Sequence, residues 1–224
     1  MFAVAIDGPS GVGKSTVAKA VAEKLGFLYV DTGALYRAIG LYLLMNNVDL
    51  NNSAAICTYL NEIEIGMKYT DLGQRVFLNG RDVSDDIRTP EVSFAAAKAS
   101  AVPEVRDFLF EIQTETALKN NVIMDGRDIG TVVLPNAQVK IFLTAKAEER
   151  ARRRTAQIIE GGHSADYETV LKEIKDRDYQ DEHRSIAPLK VSENSILVDS
   201  TDAQLADTVT TIANIIEKAF DNSK

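Results

Sequence analysis

"AIDGPSGVGKSTVAK", residues 5–19, contains Gly8-Pro9-Ser10-Gly11-Val12-Gly13-Lys14-Ser15, a match to G-x-x-x-x-G-K-[ST]. A loop of this pattern turns its backbone amides onto the phosphates of a nucleoside triphosphate. The flanks suit it. Phe2 to Ile6 is an apolar run of strand length, and Val17, Ala18, Val21 and Leu25 recur at helical spacing before Gly26 closes the helix. The N-terminus of that helix adds positive potential where phosphates sit. The pattern assigns Lys14 to the β- and γ-phosphates and the Ser15 hydroxyl to Mg²⁺, with Ser10 and Thr16 as supporting polar groups. It says what is held and leaves open whether the γ-phosphate goes to water, to a protein or to a small molecule.

Working outward, "FLYV" (27–30), "NVIMD" (121–125), "VKIFLT" (139–144) and "NSILVD" (194–199) read as further strands. Helices are expected at 34–45 and from about 202 to 220. Strands alternating with helices predict an α/β fold, a five-stranded parallel sheet flanked by helices. Residues 62–89 break the rhythm: "EIEIGMKYTDLGQRVFLNGRDVS" alternates with period two and carries Gly73 and an Asn79-Gly80 turn. Those are hairpin signals, so a small antiparallel β insertion is expected there. Two helices, "TPEVSFAAAKASA" and "VPEVRDFLFEIQTETALKN", should follow it.

At 224 residues the chain is long enough for one domain with insertions. It carries 33 acidic and 25 basic residues, a net charge of −8, which argues against a nucleic-acid polymer as partner. Cys57 is the single cysteine, so neither an internal disulfide nor a cysteine metal site is available. No apolar run is long enough to span a bilayer, and the expected location is the cytoplasm.

A metal on the triphosphate needs a second anchor, expected from a carboxylate at the end of a neighbouring apolar strand. Asp125 in "VIMDG" is the first candidate, with Asp7 and Asp31 as weaker ones. Phosphoryl transfer also needs clustered positive charge around the migrating group. Arg150, Arg152, Arg153 and Arg154 form a dense basic run on a predicted helix, where Arg150 and Arg153 or Arg154 share a face. The arginine fork suits phosphate, although such a run is also what a solvated helix face looks like. Gly161 and Gly162 just beyond it suit the hinge of a lid. Three more clusters outline an acceptor pocket: Asp31, Thr32, Tyr36 and Arg37 in "DTGALYR"; Arg127 and Asp128 in "DGRDIGT"; Arg177, Asp181 and Arg184 in "RDYQDEHRSIAPL". The last three share one helix face, an arrangement that a surface ion-pair ladder also produces.

"IDGPSGVGKST", "DTGALYR", "NGRDVSDDIRTPEV", "DGRDIGTVVLPNAQVKIFLTA" and "IKDRDYQDEHRSIAPL" together resemble the bacterial cytidylate kinases, in register over nearly the whole chain. The resemblance implies a P-loop nucleoside monophosphate kinase fold with a helical lid. The layout it implies is a core of 1–61, 120–145 and 190–224, an acceptor-binding insertion at about 62–119, and a lid at about 146–189. It implies transfer of the γ-phosphate of ATP to CMP or dCMP with Mg²⁺, by a monomer. Carried over by position, Arg37, Arg127 and Arg184 would hold the acceptor phosphate, with Thr32 in reach of it. Asp181, beside Arg177, would meet the pentose, and Asp128 and Arg106 would read the cytosine edge. The lid arginines would be Arg150 and Arg153. One position departs from the family: Ala97 stands where a base-contacting Ser is usual, with Ser93 and Ser100 about a turn to either side. The rival readings are a kinase for another small acceptor and, from a different class, a nucleotide-hydrolysing switch.

Overall fold

The chain begins as a buried strand because "AVAID" has no polar side chain until its last residue, and β1 (Ala3–Asp7) forms the middle of a sheet. The computed structural model describes residues 1–71 and 73–223. After the phosphate loop come α1 (Lys14–Leu25), β2 (Leu28–Asp31), α2 (Thr32–Met45) and α3 (Ser53–Leu60). The insertion supplies β3 (Ile65–Thr70), β4 (Gly73–Leu78) and β5 (Arg81–Asp82), followed by α4 (Pro90–Ala99) and α5 (Pro103–Lys119). The chain returns through β6 (Val122–Gly126) and β7 (Val139–Thr144). It then forms α6 (Ala147–Glu160), α7 (Tyr167–His183), β8 (Ile196–Asp199) and α8 (Leu205–Asp221).

The five-stranded parallel sheet has the order β2-β6-β1-β7-β8, and β3-β4-β5 form a separate antiparallel sheet. Both sheets match the expectation from the sequence, and the phosphate loop leaves the carboxyl end of the central strand. That is the edge where open α/β sheets bind ligands. The helix α3 and a π-type turn at Ile129–Val133 were not foreseen. Leu72 and Lys224 lie outside the described residues.

The residues fall into two compact units, Met1–Leu28 with Asn120–Lys224, and Tyr29–Lys119. The second begins about thirty residues before the insertion boundary drawn from the sequence. The reason is packing: Leu35, Ile39 and Leu43 of α2 and Ile56 of α3 share one core with Val76, Leu78, Val92 and Leu109. Their apolar faces belong to the insertion, whatever the strand rhythm before it suggests. The segment expected as a lid, α6 and α7, groups with the first unit. In that unit Phe2, Phe27 and Phe220 close one end of the core, with ring centroids 5.2–6.0 Å apart in edge-on contacts.

Gly8 and Gly40 are fixed by close approach. Gly8 has φ +151, and a Cβ there would lie 2.0 Å from the Leu143 carbonyl oxygen. This brings the phosphate loop down onto β7. A Cβ on Gly40 would lie 2.7 Å from the Ala96 amide nitrogen, where α2 crosses α4. Gly40→Ala is therefore expected to lower stability by about 1–3 kcal/mol, despite the better helix propensity of alanine. Urea unfolding checks it, and an unchanged midpoint would mean that α2 and α4 separate at little cost.

Candidate active site

The first unit gathers the phosphate-loop residues and most of the candidate arginines. Gly8, Pro9, Ser10, Gly11, Val12 and Gly13 form the loop, and Lys14, Ser15 and Thr16 open α1. Lys14 is buried, and its Nζ donates to the Pro9 carbonyl at 2.7 Å. Burial, reinforced by repulsion from Arg127, pushes its ammonium well below the usual lysine range, with Asp125, Asp181 and Asp7 opposing. A cation held this way is under-compensated by the protein and is best satisfied by an anion of high charge.

The three strand-end carboxylates considered for the metal have separate tasks. Asp125, at the end of β6 and buried, accepts from the Ser15 hydroxyl at 2.8 Å. Asp7, at the end of β1, accepts from the backbone amides of Ile129 and Gly130 at 2.8 and 2.7 Å. It therefore anchors the turn that follows Arg127 and Asp128. Burial pushes the Asp7 carboxyl up to about 6, although both amides hold it down. Asp31 caps α2, accepting from the Ala34 amide at 2.9 Å. Of the three, Asp125 is the one beside the phosphate-loop hydroxyl.

At the sheet edge, Arg127 Nε donates to Asp181 Oδ2 at 2.7 Å, bringing α7 against the end of β6. Burial pushes the Asp181 carboxyl up, but the charges of Arg127, Arg177 and Arg184 and the Arg127 hydrogen bond hold it below the ordinary carboxylate range. Arg184 donates from Nε to the Ala187 carbonyl at 2.7 Å and from Nη2 to Asp128 Oδ1 at 3.3 Å. Asp128 itself is buried. Arg177 lies exposed on α7. Thus the "DGRDIG" and "RDYQDEHR" segments, about fifty residues apart in sequence, converge on the edge that carries Lys14.

The two arginines expected in a lid divide. Arg150 is buried and fully engaged: Nε donates to the Ala145 carbonyl at 2.9 Å and Nη1 to the Ser10 carbonyl of the phosphate loop at 2.8 Å. Its two Nη atoms also grip Asp178 at 3.0 and 2.5 Å. Arg153, one turn on, binds Glu149 at 2.8 Å and the carbonyls of Ser200 and Thr201 at 2.6 and 3.1 Å. In this structure it therefore stands against the turn after β8, away from the contacts that tie Arg150 to the loop. Helical spacing put both on one face; the carbonyls at the end of β8 and the Asp178 carboxylate separate their tips.

The second unit carries the other acceptor candidates. Arg37 Nη2 pairs with Asp31 Oδ2 at 2.9 Å, and its buried Nε has no hydrogen-bond partner among the described residues. Gln74 of β4 clasps the Asp31 backbone from both sides, accepting from its amide at 2.7 Å and donating to its carbonyl at 3.3 Å. The insertion sheet thereby fixes the start of α2, where Thr32 is buried. Arg106 lies over the Tyr36 ring at 5.8 Å and reaches the Ser100 carbonyl at 3.3 Å. Near Ala97, the Ser93 and Ser100 hydroxyls donate to the carbonyls of Thr89 and Ala97, each at 2.9 Å.

Three residues escaped the sequence reading. Asp178 sits a quarter-turn off the Arg177–Asp181–Arg184 stripe, and only the need of a buried arginine for a carboxylate could have pointed to it. Gln74 looked like an ordinary strand residue. Arg88, which approaches Asp31 Oδ2 at 3.5 Å, ends a single 3-10 turn, Asp86–Arg88, that carries no signal of a site.

Among the described residues, no helix is long and apolar enough to cross a membrane. The family model described as cytidylate kinase matches residues 4–218. The cytidylate kinase of Carboxydothermus hydrogenoformans is 49% identical over 218 residues, covering 97% of this chain and 98% of that protein. That of Caldicellulosiruptor bescii is 48% identical over 98% of this chain and 97% of its own. Among solved structures, an uncharacterised protein from Eubacterium ventriosum superposes with TM-score 0.51 at 16% identity, covering 99% and 98% of the two chains, a likeness of fold alone. With a phosphate loop at the central strand and an arginine-lined edge beside it, the chain belongs to the cytidylate kinase family.

Proposed function

We propose that the protein transfers the γ-phosphate of ATP to CMP and dCMP, releasing ADP with CDP or dCDP, as a cytoplasmic monomer. The observation that carries this is the grouping of Arg127, Asp128, Asp181 and Arg184 around the sheet edge that holds Lys14. A hydrolysing switch has no use for a second cluster of arginines and carboxylates, whereas an acceptor kinase needs both. Lys14 neutralises the donor phosphates. Arg37, Arg127 and Arg184, with Thr32, are assigned to the acceptor phosphate. Asp181 with Arg177 is assigned to the pentose, and Asp128 with Arg106 to the cytosine edge. Arg150, and Arg153 if it turns from Ser200 and Thr201, are assigned to the migrating group. No covalent enzyme intermediate is needed, because positioning and charge carry the transfer.

The residues present fit Mg²⁺. The Ser15 hydroxyl and Asp125 carboxylate are hard oxygen donors already 2.8 Å from each other. Among the described residues no group of three or more His, Cys, Asp or Glu could hold a metal alone. That suits an ion whose other ligands are phosphate oxygens and water. When bound, Mg²⁺ neutralises the β- and γ-phosphate oxygens.

The test is ADP release from ATP with Mg²⁺ and CMP, dCMP, UMP, AMP, GMP or no acceptor, each alone. Activity confined to CMP and dCMP is expected. Equal rates with UMP would broaden the acceptor, and release with no acceptor would mean a hydrolase. Base choice should depend on Asp128, because cytosine offers an amino donor to its carboxylate and uracil offers a carbonyl. Asp128→Asn is expected to reduce the CMP-over-UMP ratio of kcat/KM by about tenfold, since unpaired polar groups are the strong route to discrimination. A uniform loss over both acceptors would contradict the assignment.

A further inference from the structure

Helix α7 is fastened at two places by buried or half-buried ion pairs. At Asp178 both carboxylate oxygens take Arg150, through Nη1 at 3.0 Å and Nη2 at 2.5 Å, and the Arg150 side chain is only 5% exposed. The same Nη1 reaches the Ser10 carbonyl in the phosphate loop at 2.8 Å. One helical turn on, Asp181 takes Arg127 Nε at 2.7 Å, at the end of β6. The loop continuing from α7 then brings Arg184 to Asp128 at 3.3 Å.

The Arg150 guanidinium has little slack. Nε is held by the Ala145 carbonyl at 2.9 Å, so the group cannot swing without breaking a buried hydrogen bond. A planar fork with both arms on one carboxylate also fixes its orientation. Displacing Asp178 therefore strains the fork and, through the shared Nη1, the hydrogen bond to Ser10. Gly11 reports the same closeness from the other side: a Cβ there would meet Arg150 Cβ and Ile174 Cδ1 of α7, both at 3.8 Å. Side chain, main chain and helix packing therefore all join α7 to the donor loop. The opposite end of the strut meets Arg127 and Arg184, the groups assigned above to the acceptor phosphate.

We infer that Asp178 is a positioning residue that couples the two substrates: through Arg150 and Ser10 it makes the grip of the phosphate loop depend on acceptor bound along α7. The inference rests on the proposed function, since it takes Arg127, Asp181 and Arg184 to be acceptor-binding. Coupling of this kind is reciprocal, so the donor tightens the acceptor by the same factor. A simple structural pin would behave differently. Its loss would lower the melting temperature and weaken both ligands while leaving the ratio between singly and doubly bound affinities unchanged.

The test is calorimetric titration of the Mg²⁺ complex of a non-hydrolysable ATP analogue, with and without saturating CMP. The wild-type protein, Asp178→Asn and Asp178→Glu are compared. CMP is expected to tighten the analogue by about 5-fold or more in the wild type, the low end of typical coupling. In Asp178→Asn, which keeps the shape and loses the charge, that factor should fall close to one. Asp178→Glu keeps the charge balance and serves if the asparagine variant does not fold. Its carboxylate lies a methylene further out, so its factor should also fall while its melting temperature stays near wild type. A wild-type factor in either folded variant overturns the coupling, as does a factor of one in the wild-type protein. Failure of the wild type to bind CMP would reject the proposed function itself, and the inference with it, before any variant is made.

Discussion

Lys14→Met lowers kcat for CMP phosphorylation by about 10²–10³-fold, the usual cost of removing one preorganised group from developing charge. It should not lower the melting temperature. The two halves of this expectation have one cause. Burial and the neighbouring Arg127 charge push the Lys14 ammonium well below its ordinary range, so the folded protein holds this cation at a disadvantage relative to the unfolded chain. Its hydrogen bond to the Pro9 carbonyl, at 2.7 Å, is the direct contact that offsets it. Methionine keeps the unbranched stem that packs there, omits the charge and leaves the loop glycines untouched. Function and stability thus pull apart at this residue, as they do where a site is built for a ligand's charge. Coupled-enzyme kinetics and thermal melting on the same preparation check both halves. A kcat within tenfold of wild type would remove Lys14 from the transition state. A large drop in melting temperature would mean that the charge is better compensated than its neighbours suggest.

The legible parts of this chain were those in which one short segment carries both the local geometry and the chemistry. The phosphate loop is such a segment: glycines that let the backbone approach β7, a lysine and a serine in consecutive positions, and a strand and helix on either side. The hairpin was equally readable, because alternation and Asn79-Gly80 state the turn locally; Asn79 indeed has φ +49 and Gly80 φ +79. What could not be read were properties that depend on a distant partner. Arg150 and Arg153 look alike on a helix wheel. They differ because Asp178 and Ser10 reach one and the carbonyls of Ser200 and Thr201 reach the other. The unit boundary at Tyr29 could not be read from the sequence for a similar reason. The apolar face of α2 fits a helix flanking the main sheet as well as one packed in the insertion's core, and only the partner side chains decide. Asp7 shows a third kind of limit. A carboxylate ending a strand beside a phosphate loop reads as a metal ligand, yet its oxygens are taken by the amides of Ile129 and Gly130.

Arg127→Met is expected to reduce kcat/KM for CMP by about 10²–10³-fold, the range for losing one member of a hydrogen-bonded charge pair at a binding site. Unlike the lysine substitution, it should also destabilise the protein. Arg127 supplies the hydrogen bond to Asp181, whose side chain is 17% exposed, and its loss leaves that carboxylate to Arg177 and Arg184. An under-compensated carboxylate at this depth is costly. A second substitution isolates the effect on stability, Asp181 being itself assigned to the acceptor. Asp181→Asn in the Arg127→Met background removes the stranded charge, so the melting temperature should recover part of the loss while turnover of CMP stays low. If turnover recovered together with stability, Arg127 would act only by holding α7 in place. If the double variant were no more stable than the single one, the pair would contribute little to the fold. Loss of Arg127 also removes the charge that presses on Lys14. Affinity for the ATP analogue should therefore hold steady or change by less than that for CMP. This asymmetry marks Arg127 as an acceptor group placed beside the donor lysine. Two cations kept this close by the fold repel each other, and both gain when an anion is shared between them, which is the charge pattern of a phosphoryl group in transit.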